Sequence, residues 1–391
     1  MTSSRRINIM VSAGEASGDA HAAHALEALQ TRGTDFESFG MGASLLQTQG
    51  CDLIVDCREL AVIGFIDVVK NYPRFMIRLR KLKAAMKARR PDLLLIVDYP
   101  NFNLKLAEYA RQLNIPVLFY ISPKVWASRP GRVPKIGARI SHMAVIFPFE
   151  VDIYEKAGIP VSYVGNPVVE DAHSPLTREE ACNALDLDSS RPVILLMPGS
   201  RKGELERHMS LLMASTEKLA NERPNCQFIL PLANTIDREW FNQLLESADA
   251  NLPSAPHLQI VDGQSITAMR AADVALVASG TATLETGLMG TPMVVLYKVS
   301  PLNYAIIKRM INIDDVSLVN IVAQRRIVPE LIQDDATAEN IAAEALLLLN
   351  DETRRSQMLH DLAELKLAMG EPGASERVAA LIESLVISTK V

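Results

Sequence analysis

The sequence predicts an α/β protein with two domains in series. Short runs of β-branched and other apolar residues recur along the chain, each followed by turn residues and a helical pattern, which is typical of βα units in parallel sheets. The chain has 391 residues, which is too long for one compact core. The segment from Gly165 to Pro192 contains Pro167, Pro175 and a polar stretch at 185–191, which predicts a linker with the domain boundary near residue 170.

Eight apolar segments are predicted to be buried strands, because strands of parallel sheets are covered on both faces and read as continuous apolar runs. Those of the first domain are Ile7 to Val11, Leu93 to Asp98, Val117 to Ile121 and Met143 to Phe147. Those of the second domain are Val193 to Met197, Gln227 to Pro231, Val274 to Ala278 and Met293 to Tyr297.

The tail of the chain is predicted to be helical. From residue 337 onward helix-forming residues predominate, with a break at 370–373 before a last amphipathic helix. We therefore expect a first domain at 1–170, a second at 171–365, and a terminal segment at 366–391 that packs back on a domain or on a partner chain.

Composition excludes several classes of protein. Hydrophobic residues make up 48% and charged residues 22%, as in a globular chain, and the net charge of −6 argues weakly against a nucleic-acid binder. No apolar run approaches the roughly 18 residues of a membrane span, and the N-terminus does not resemble a secretory signal, which predicts a cytoplasmic protein. The four cysteines include no CxxC pair, so no disulfide framework or zinc site is predicted. His21 and His24 are at helical spacing but have no third ligand nearby in the sequence, so a metal site is not predicted there either.

The loop at 12–19 follows the first strand and opens a helix, where free backbone N–H groups can meet a ligand. It is not a dinucleotide fingerprint, because Gly14 and Gly18 are four residues apart and the acidic side chains would repel a pyrophosphate. Two interpretations stay open: a polar loop that faces substrate, or a helix cap made by Ser17 or Asp19.

Asp98 ends a fully apolar strand, the position where α/β enzymes carry catalytic groups. A carboxylate there can accept a proton from a sugar hydroxyl and act as a general base. Asn101 and Asn103 add polar groups to the same corner. The alternative is an N-cap or an Asx turn before the helix that starts at Pro100.

Two further loops, in the second domain, have the composition of anion-binding turns. At 198–206, Arg201 and Lys202 directly follow a Gly-Ser turn and precede a helix, which suits a diphosphate, although a solvated basic turn is the alternative. At 278–285, small hydroxyl residues precede a helix and leave room for a phosphate. Glu285 in that helix is interpreted as a ribose ligand or as a favourable first-turn acid.

A basic amphipathic segment covers residues 63–90. Nine basic residues and no acidic one lie between Lys70 and Arg90, interleaved with apolar side chains. The pattern fits an anionic lipid surface or a core-facing helix with a solvated back.

The order and spacing of six segments resemble the lipid-A-disaccharide synthase family of Gram-negative bacteria, almost from end to end. The segments are Ser12 to Asp19, Asp98 to Asn103, Tyr120 to Trp126, Gly165 to Pro167, Pro198 to Glu206 and Ser279 to Glu285. The resemblance implies a GT-B fold of two Rossmann-like domains facing a central cleft. It also implies inverting transfer from UDP-2,3-diacylglucosamine to 2,3-diacylglucosamine 1-phosphate (lipid X), without metal or cofactor.

The resemblance also implies roles for individual residues. Asp98 would be the base for the acceptor hydroxyl, with Glu15 as a weaker candidate, and Ser17, Asn101 and Asn103 would lie on the acceptor side. The UDP-sugar would be bound by Ser200, Arg201, Ser279, Gly280, Thr281, Ala282, Thr283, Glu285 and Asn320. The membrane would be contacted by Ile66, Val68, Val69, Tyr72, Phe75 and Met76.

The family further implies a homodimer, located peripherally on the cytoplasmic face of the inner membrane. Two competing functions remain at this stage. One is a UDP-N-acetylglucosamine 2-epimerase of the same fold, which needs no lipid acceptor. The other is a protein that binds a nucleotide-sugar or lipid without turnover.

Overall fold

The computed structural model describes residues 6–60, 65–128, 130–249, 257–300, 304 and 315–388, with the backbone alone at 60, 65–72, 128, 130 and 249. The chain divides into two compact units. Unit 1 comprises Met1–Pro167 and Glu371–Val391, and unit 2 comprises Val168–Gly370. The divisions expected from the sequence lay a few residues away, at 170 and 365.

Unit 1 is built on a seven-stranded sheet in which every pair of neighbouring strands is parallel. Its order is β3-β2-β1-β4-β5-β6-β7, the doubly wound arrangement of a Rossmann-like fold. The strands are β1 Ile7–Ala13, β2 Phe36–Gly42, β3 Asp52–Asp56, β4 Leu93–Val97, β5 Val117–Tyr120, β6 His142–Val145 and β7 Val161–Tyr163.

The helices of unit 1 cover both faces of this sheet. They are α1 Ala16–Thr31, α2 Ser44–Thr48, α3 Phe65–Arg89, α4 Pro100–Gln112, α5 Val125–Ser128, α6 Val133–Gly137, α7 Glu150–Glu155 and, from the end of the chain, α17 Ala374–Ser388. Successive side chains of β4 alternate between two apolar cores, Leu94 and Ile96 in one and Leu93 and Leu95 in the other. This alternation explains why all five residues of β4 are buried and apolar.

Unit 2 repeats the plan with six parallel strands in the order β10-β9-β8-β11-β12-β13. The strands are β8 Val193–Met197, β9 Gln227–Leu232, β10 Leu258–Asp262, β11 Val274–Ala278, β12 Met293–Tyr297 and β13 Glu330–Ile332. The helices are α8 Val168–Asp171, α9 Arg178–Ala184, α10 Lys202–Glu222, α11 Arg238–Asp249, α12 Ser265–Ala271, α13 Thr281–Leu288, α14 Leu318–Ala323, α15 Ala338–Asn350 and α16 Glu352–Met369.

Each of the eight segments predicted as strands contains a strand, although some end earlier than expected. β4 ends at Val97 rather than Asp98, because Asp98 and Tyr99 have left-handed backbone angles. The sequence analysis did not predict β2, β3, β7, β10 and β13. β2 contains Gly40 and Gly42, which are unfavourable in strands. The other four strands lie at the sheet edges. They are short or half-buried, so their sequences show little alternation of apolar and polar residues.

The last helix, α17, packs on α1 of unit 1. Its apolar residues Val378, Ile382 and Val386 are buried in the same core as the inner face of α1. Arg377 secures its start by donating to the carbonyl oxygen of Val164 at 2.7 Å. A β-carbon on Gly165, whose φ is +84°, would lie 2.3 Å from the Arg377 guanidinium, so this glycine leaves room for the docking contact.

None of the helices in the described ranges combines the length and the apolarity that a bilayer crossing requires.

Candidate active site

The candidate site of unit 1 lies at the carboxyl ends of β1 and β4. These adjacent strands are where the strand order reverses, the point at which α/β sheets bind ligands. The loop after β1 carries Glu15 and the loop after β4 carries Asp98. Because Ala13 pairs with Val97, both loops leave the sheet at the same edge. The topology therefore places the two loops that carry these carboxylates at one edge of the sheet.

Asp98 and the following residue have unusual backbone conformations. Their φ angles are +43° at Asp98 and +47° at Tyr99, a region that costs about 1–2 kcal/mol per L-residue. Asn103 supports this turn, because its side-chain amide donates to the carbonyl oxygens of Val97 at 3.1 Å and Asp98 at 2.7 Å. The N-cap of α4 is Tyr99 without a side-chain hydrogen bond, so Asp98 is not the cap that was its alternative interpretation.

The surroundings of Asp98 have opposing effects on the pKa of its carboxyl group. Partial burial raises the pKa of the Asp98 carboxyl above its ordinary value, while the backbone N–H of Tyr99 and the positive charge of Lys124 oppose that rise. A half-buried carboxylate with a raised pKa is a better proton acceptor than a solvated one.

The loop after β1 is closely fitted to the loop after β4. A β-carbon on Gly14 would lie 2.2 Å from the Tyr99 ring, so only glycine permits this approach. Glu15 and Ser17 are exposed beside it. Asp19 is buried and accepts backbone N–H bonds from Ala43 at 2.6 Å and Leu45 at 3.0 Å, so it caps α2 rather than α1.

The two asparagines differ in their access to solvent. Asn101 is exposed, and its side-chain oxygen accepts a hydrogen bond from Arg132 at 3.2 Å. Asn103 is fully buried, and its side-chain oxygen accepts a hydrogen bond from the Ser12 hydroxyl at 2.7 Å. Asn103 therefore joins the two loops from beneath.

A buried polar cluster that the sequence analysis missed lies behind the loop after β5. Glu150 is 1% exposed and accepts hydrogen bonds from the Trp126 indole at 3.2 Å and the Phe147 backbone N–H at 3.3 Å. The hydroxyls of Ser122 and Tyr154 share a hydrogen bond of 2.7 Å beside it. Burial raises the pKa of Glu150 to about 7. Only the nearby Tyr120 to Trp126 segment was noted in the sequence.

In unit 2, β8 and β11 are adjacent, and both loops predicted to bind anions leave the sheet there. In the first loop, Glu204 accepts backbone N–H bonds from Ser200 at 3.0 Å and Arg201 at 3.3 Å. It also accepts a bond from one guanidinium nitrogen of Arg201 at 2.9 Å. The Arg201 side chain remains 82% exposed, so its other N–H groups are open to a ligand.

The second loop presents small residues at the start of α13. Gly280 and Thr281 are exposed, and Ala282 is half-buried. The two hydroxyls beside them already have partners, since Ser279 donates to the carbonyl oxygen of Val316 at 2.9 Å and Thr283 to that of Gly280 at 2.8 Å. The exposed backbone of this turn is therefore its open binding feature.

Glu285 lies one turn further along α13 and is half-buried. Burial raises the pKa of its carboxyl above the ordinary value, and the negative charge of Asp171 adds to that effect. Among the described residues none donates a hydrogen bond to this carboxylate, in contrast to Glu204.

Asn320 is fully buried and lies outside direct reach of solvent. Its side chain donates to Glu330 at 2.8 Å and accepts from the backbone N–H of Ile327 at 2.8 Å. Glu330 also accepts the backbone N–H groups of Val316 at 2.8 Å and Ser317 at 3.0 Å. Because Ser279 donates to Val316, this network supports the turn that precedes α13.

His208 is a second residue that the sequence analysis did not select. It is fully buried on α10, donates from Nδ1 to the carbonyl oxygen of Pro198 at 2.8 Å, and accepts at Nε2 from the Lys298 backbone N–H at 3.3 Å. Burial lowers the pKa of its imidazole. The neutral ring therefore connects the loops after β8 and β12, on either side of β11. The five histidines other than His21 and His24 are scattered along the sequence, which gave no signal for this choice.

The basic helix α3 contains the residues predicted to contact a membrane. The side chains of Ile66, Val68, Val69 and Tyr72 lie outside the described residues. Phe75 packs edge-to-face on Phe102 at 4.9 Å and, like Met76, is partly buried against the core. Ile77, which the sequence analysis did not select, is 51% exposed.

Within the described parts of both units, no group of three or more His, Cys, Asp or Glu side chains is placed to hold a metal ion.

Comparison with known proteins identifies the family. The model of the family described as lipid-A-disaccharide synthetase matches residues 9–384. The lipid-A-disaccharide synthase of Syntrophus aciditrophicus is 40% identical over 378 residues, which are 97% of each chain.

Solved structures agree with the fold. Acinetobacter baumannii MurG has a TM-score of 0.61 at 16% identity, with 97% of this chain and 99% of that chain covered. A structure described as a putative UDP-N-acetylglucosamine 2-epimerase from Listeria monocytogenes has a TM-score of 0.61 at 14% identity, covering 98% and 96%. At such identities the likeness concerns the fold, and the two parallel-sheet units confirm the predicted GT-B type. Because the family model matches almost the whole length of the chain, the chain belongs to the lipid-A-disaccharide synthase family, the glycosyltransferases of lipid A biosynthesis.

Proposed function

We propose that the chain transfers the sugar of UDP-2,3-diacylglucosamine to the 6-hydroxyl of 2,3-diacylglucosamine 1-phosphate with inversion. The acceptor oxygen forms a bond to the anomeric carbon of the donor while the bond from that carbon to the UDP oxygen breaks. The hydroxyl proton passes to a carboxylate, and UDP leaves with the bonding electrons. A single displacement converts an α-linked donor into a β-1,6-linked tetraacyl disaccharide 1-phosphate.

Asp98 carries this proposal as the general base. Its half-buried carboxylate follows a central strand at the switch point, and its strained backbone is held by Asn103. Strain of this kind persists where the surrounding structure supports it, and it is common at catalytic sites. Glu15 is the weaker candidate, because it is exposed and lacks this support.

The acceptor side would include Ser17 and Asn101, both exposed near Asp98. Asn103 is proposed to act from beneath, by fixing the backbone at Asp98 rather than by touching the acceptor.

The UDP moiety would lie over the adjacent turns of unit 2. Arg201 would bind the diphosphate through its exposed guanidinium N–H groups. Ser200 would bind it through its backbone N–H group, which donates to Glu204 in this structure. Glu204 and the diphosphate would therefore compete for the N–H groups of Ser200 and Arg201. The backbone of Gly280, Thr281 and Ala282 would contribute further donors at the start of α13. Fixed positive groups there would stabilise the departing charge.

The half-buried Glu285 would accept hydrogen bonds from the ribose hydroxyls, a role supported by its lack of a donor among the described residues. Ser279, Thr283 and Asn320 would support the site through the hydrogen bonds that shape these turns.

Membrane contact is proposed for the first half of α3, with Ile66, Val68, Val69, Tyr72 and Met76. Exposed Ile77 extends the apolar surface, and the basic residues up to Arg90 would attract anionic lipid. Phe75 packs inward on Phe102, so its contribution would be to anchor the helix. The chain would then act peripherally on the cytoplasmic face of the inner membrane, and as a homodimer.

A 2-epimerase acting on UDP-N-acetylglucosamine is the alternative that the fold alone would also accommodate. It differs from transfer in needing a single substrate, so the same preparation tests both.

The proposal is tested by incubating both lipid substrates with the protein in detergent micelles, with a chelator present. We expect disaccharide formation, a loss of about 100-fold or more in Asp98→Asn, and a raised KM for the donor in Arg201→Ala. Arg207→Ala is the matched control, because Arg207 is an exposed arginine of the same helix, α10, that lies beyond the diphosphate turn. Well-folded protein that forms no disaccharide but epimerises UDP-N-acetylglucosamine would overturn the proposal.

A further inference from the structure

Glu150 is a buried carboxyl group close to the candidate base, and the proposed reaction does not use it. It begins α7, after β6, and is 1% exposed. Its two oxygens accept from different donors, the Trp126 indole N–H and the Phe147 backbone N–H. The Ser122 hydroxyl lies beside this carboxyl group, and it contacts the Pro123 carbonyl oxygen at 2.9 Å and the Tyr154 hydroxyl at 2.7 Å.

Two residues of α7, Glu150 and Tyr154, hold the two ends of a short segment that runs from Ser122 into α5. Ser122 is buried and shares a hydrogen bond of 2.7 Å with the Tyr154 hydroxyl, and Trp126 packs edge-to-face on Phe149. Between the two anchored positions lies Lys124, which is exposed.

The same segment lies beside Asp98. β4 and β5 are paired, and the Asp98 backbone N–H donates to the carbonyl oxygen of Tyr120 at 3.0 Å. Ile121 then turns the chain with a φ of +66°. Lys124 follows this turn, and its positive charge acts on the Asp98 carboxyl.

We propose that Glu150 is a positioning residue of the transfer reaction: by anchoring Trp126 while Tyr154 of the same helix anchors Ser122, it holds Lys124 beside Asp98. The ammonium group would favour the ionised form of Asp98, which is the form that accepts the acceptor's proton. This inference rests on the proposed role of Asp98 as the base.

In the described part of the chain, the following groups act on the two carboxyls and on their neighbours. Lys124 and the Tyr99 N–H act on Asp98, and Glu15 acts on Tyr99 from the loop after β1. Around Glu150 the polar groups are Ser122, Trp126 and the phenol of Tyr154, whose pKa burial raises to about 12, so it stays neutral.

The test compares Lys124→Met, Glu150→Leu and the double variant. The titration of the Asp98 carboxyl is followed by carbon NMR as a difference spectrum against Asp98→Asn. We expect the midpoint to move to higher pH in both single variants, and the double variant to move no further than Lys124→Met. In transfer assays, the acidic limb of the pH profile of kcat/KM should move to higher pH as well. The value of kcat/KM should fall by roughly threefold to tenfold at the acidic end of the profile and by less at pH 8.

Lys135→Met is the matched control. Lys135 is another exposed lysine of unit 1, but its charge does not contribute to the pKa shift of Asp98. If Glu150→Leu does not fold, Trp126→Phe removes one anchor and should give a smaller shift in the same direction. An unchanged Asp98 midpoint in folded Glu150→Leu, or additive shifts in the double variant, would overturn the inference. Absence of transfer by the native protein would instead overturn the proposed function, since the NMR titration does not depend on turnover.

Discussion

Substitution of Glu150 by glutamine should change how the stability of unit 1 depends on pH. Burial raises the pKa of Glu150 from 4.5 to about 7. The folded state therefore binds this proton more tightly than the unfolded state, and stability falls as pH rises from about 4.5 to 7. Each tenfold difference in proton affinity corresponds to about 1.4 kcal/mol, so the native protein loses about 3 kcal/mol across this window.

Glutamine has no charge to lose, so Glu150→Gln avoids this fall. Its oxygen can still accept from Trp126, whereas its amide nitrogen cannot accept the Phe147 N–H, a loss of about 1 kcal/mol. We therefore expect the variant to be about 2 kcal/mol more stable than the native protein at pH 8, and no more stable at pH 5.

Urea unfolding at both pH values measures the difference. Trp126 and Trp240 are the two tryptophans of the chain, so a Trp240→Phe background gives a signal from unit 1 alone. Glu108→Gln, in which an exposed carboxylate 3.3 Å from Arg139 is replaced, is the matched control and should show no such crossover. A stability difference that is the same at pH 5 and pH 8 would refute the inference that Glu150 titrates between the two.

Two further predictions concern the other contacts described above. Gly165→Ala should destabilise the docking of α17 by about 2 kcal/mol or more, because residue 165 has a left-handed backbone and the new β-carbon would collide with Arg377. Hydrogen exchange of α17 measures this loss. Gly158→Ala is the control, because Gly158 also has a positive φ but its β-carbon would meet open space. Protection of α17 that falls equally in both variants would show that the Arg377 contact does not matter. Glu285→Gln should weaken UDP binding by roughly threefold to 30-fold without reducing thermal stability, measured by calorimetry with UDP and with inorganic diphosphate. Equal weakening for the two ligands would exclude a role at the ribose.

Much of the fold could be predicted because local chemistry decides it. Continuous apolar runs such as Leu93–Val97 can be covered only in the interior of a parallel sheet, so the central strands were evident in both units. Edge strands such as β7 and β13 were missed because three half-buried residues have no periodicity to detect. Asp98 was selected because it directly follows a buried strand, and Glu285 because it lies one turn into the helix after a turn of small hydroxyl residues.

Tertiary structure alone decided which polar groups are open and which are used internally. Asn103 lies in a polar corner of the sequence, and the family resemblance implies a ligand role for Asn320, yet both are fully buried and hold neighbouring backbone in place. Conversely, Glu150 and His208 had no distinguishing neighbours along the chain. Their partners, Trp126 and Lys298, lie 24 and 90 residues away. Burial, hydrogen-bond partners and the resulting pKa values depend on such long-range contacts, and these exist only once the sheets have formed.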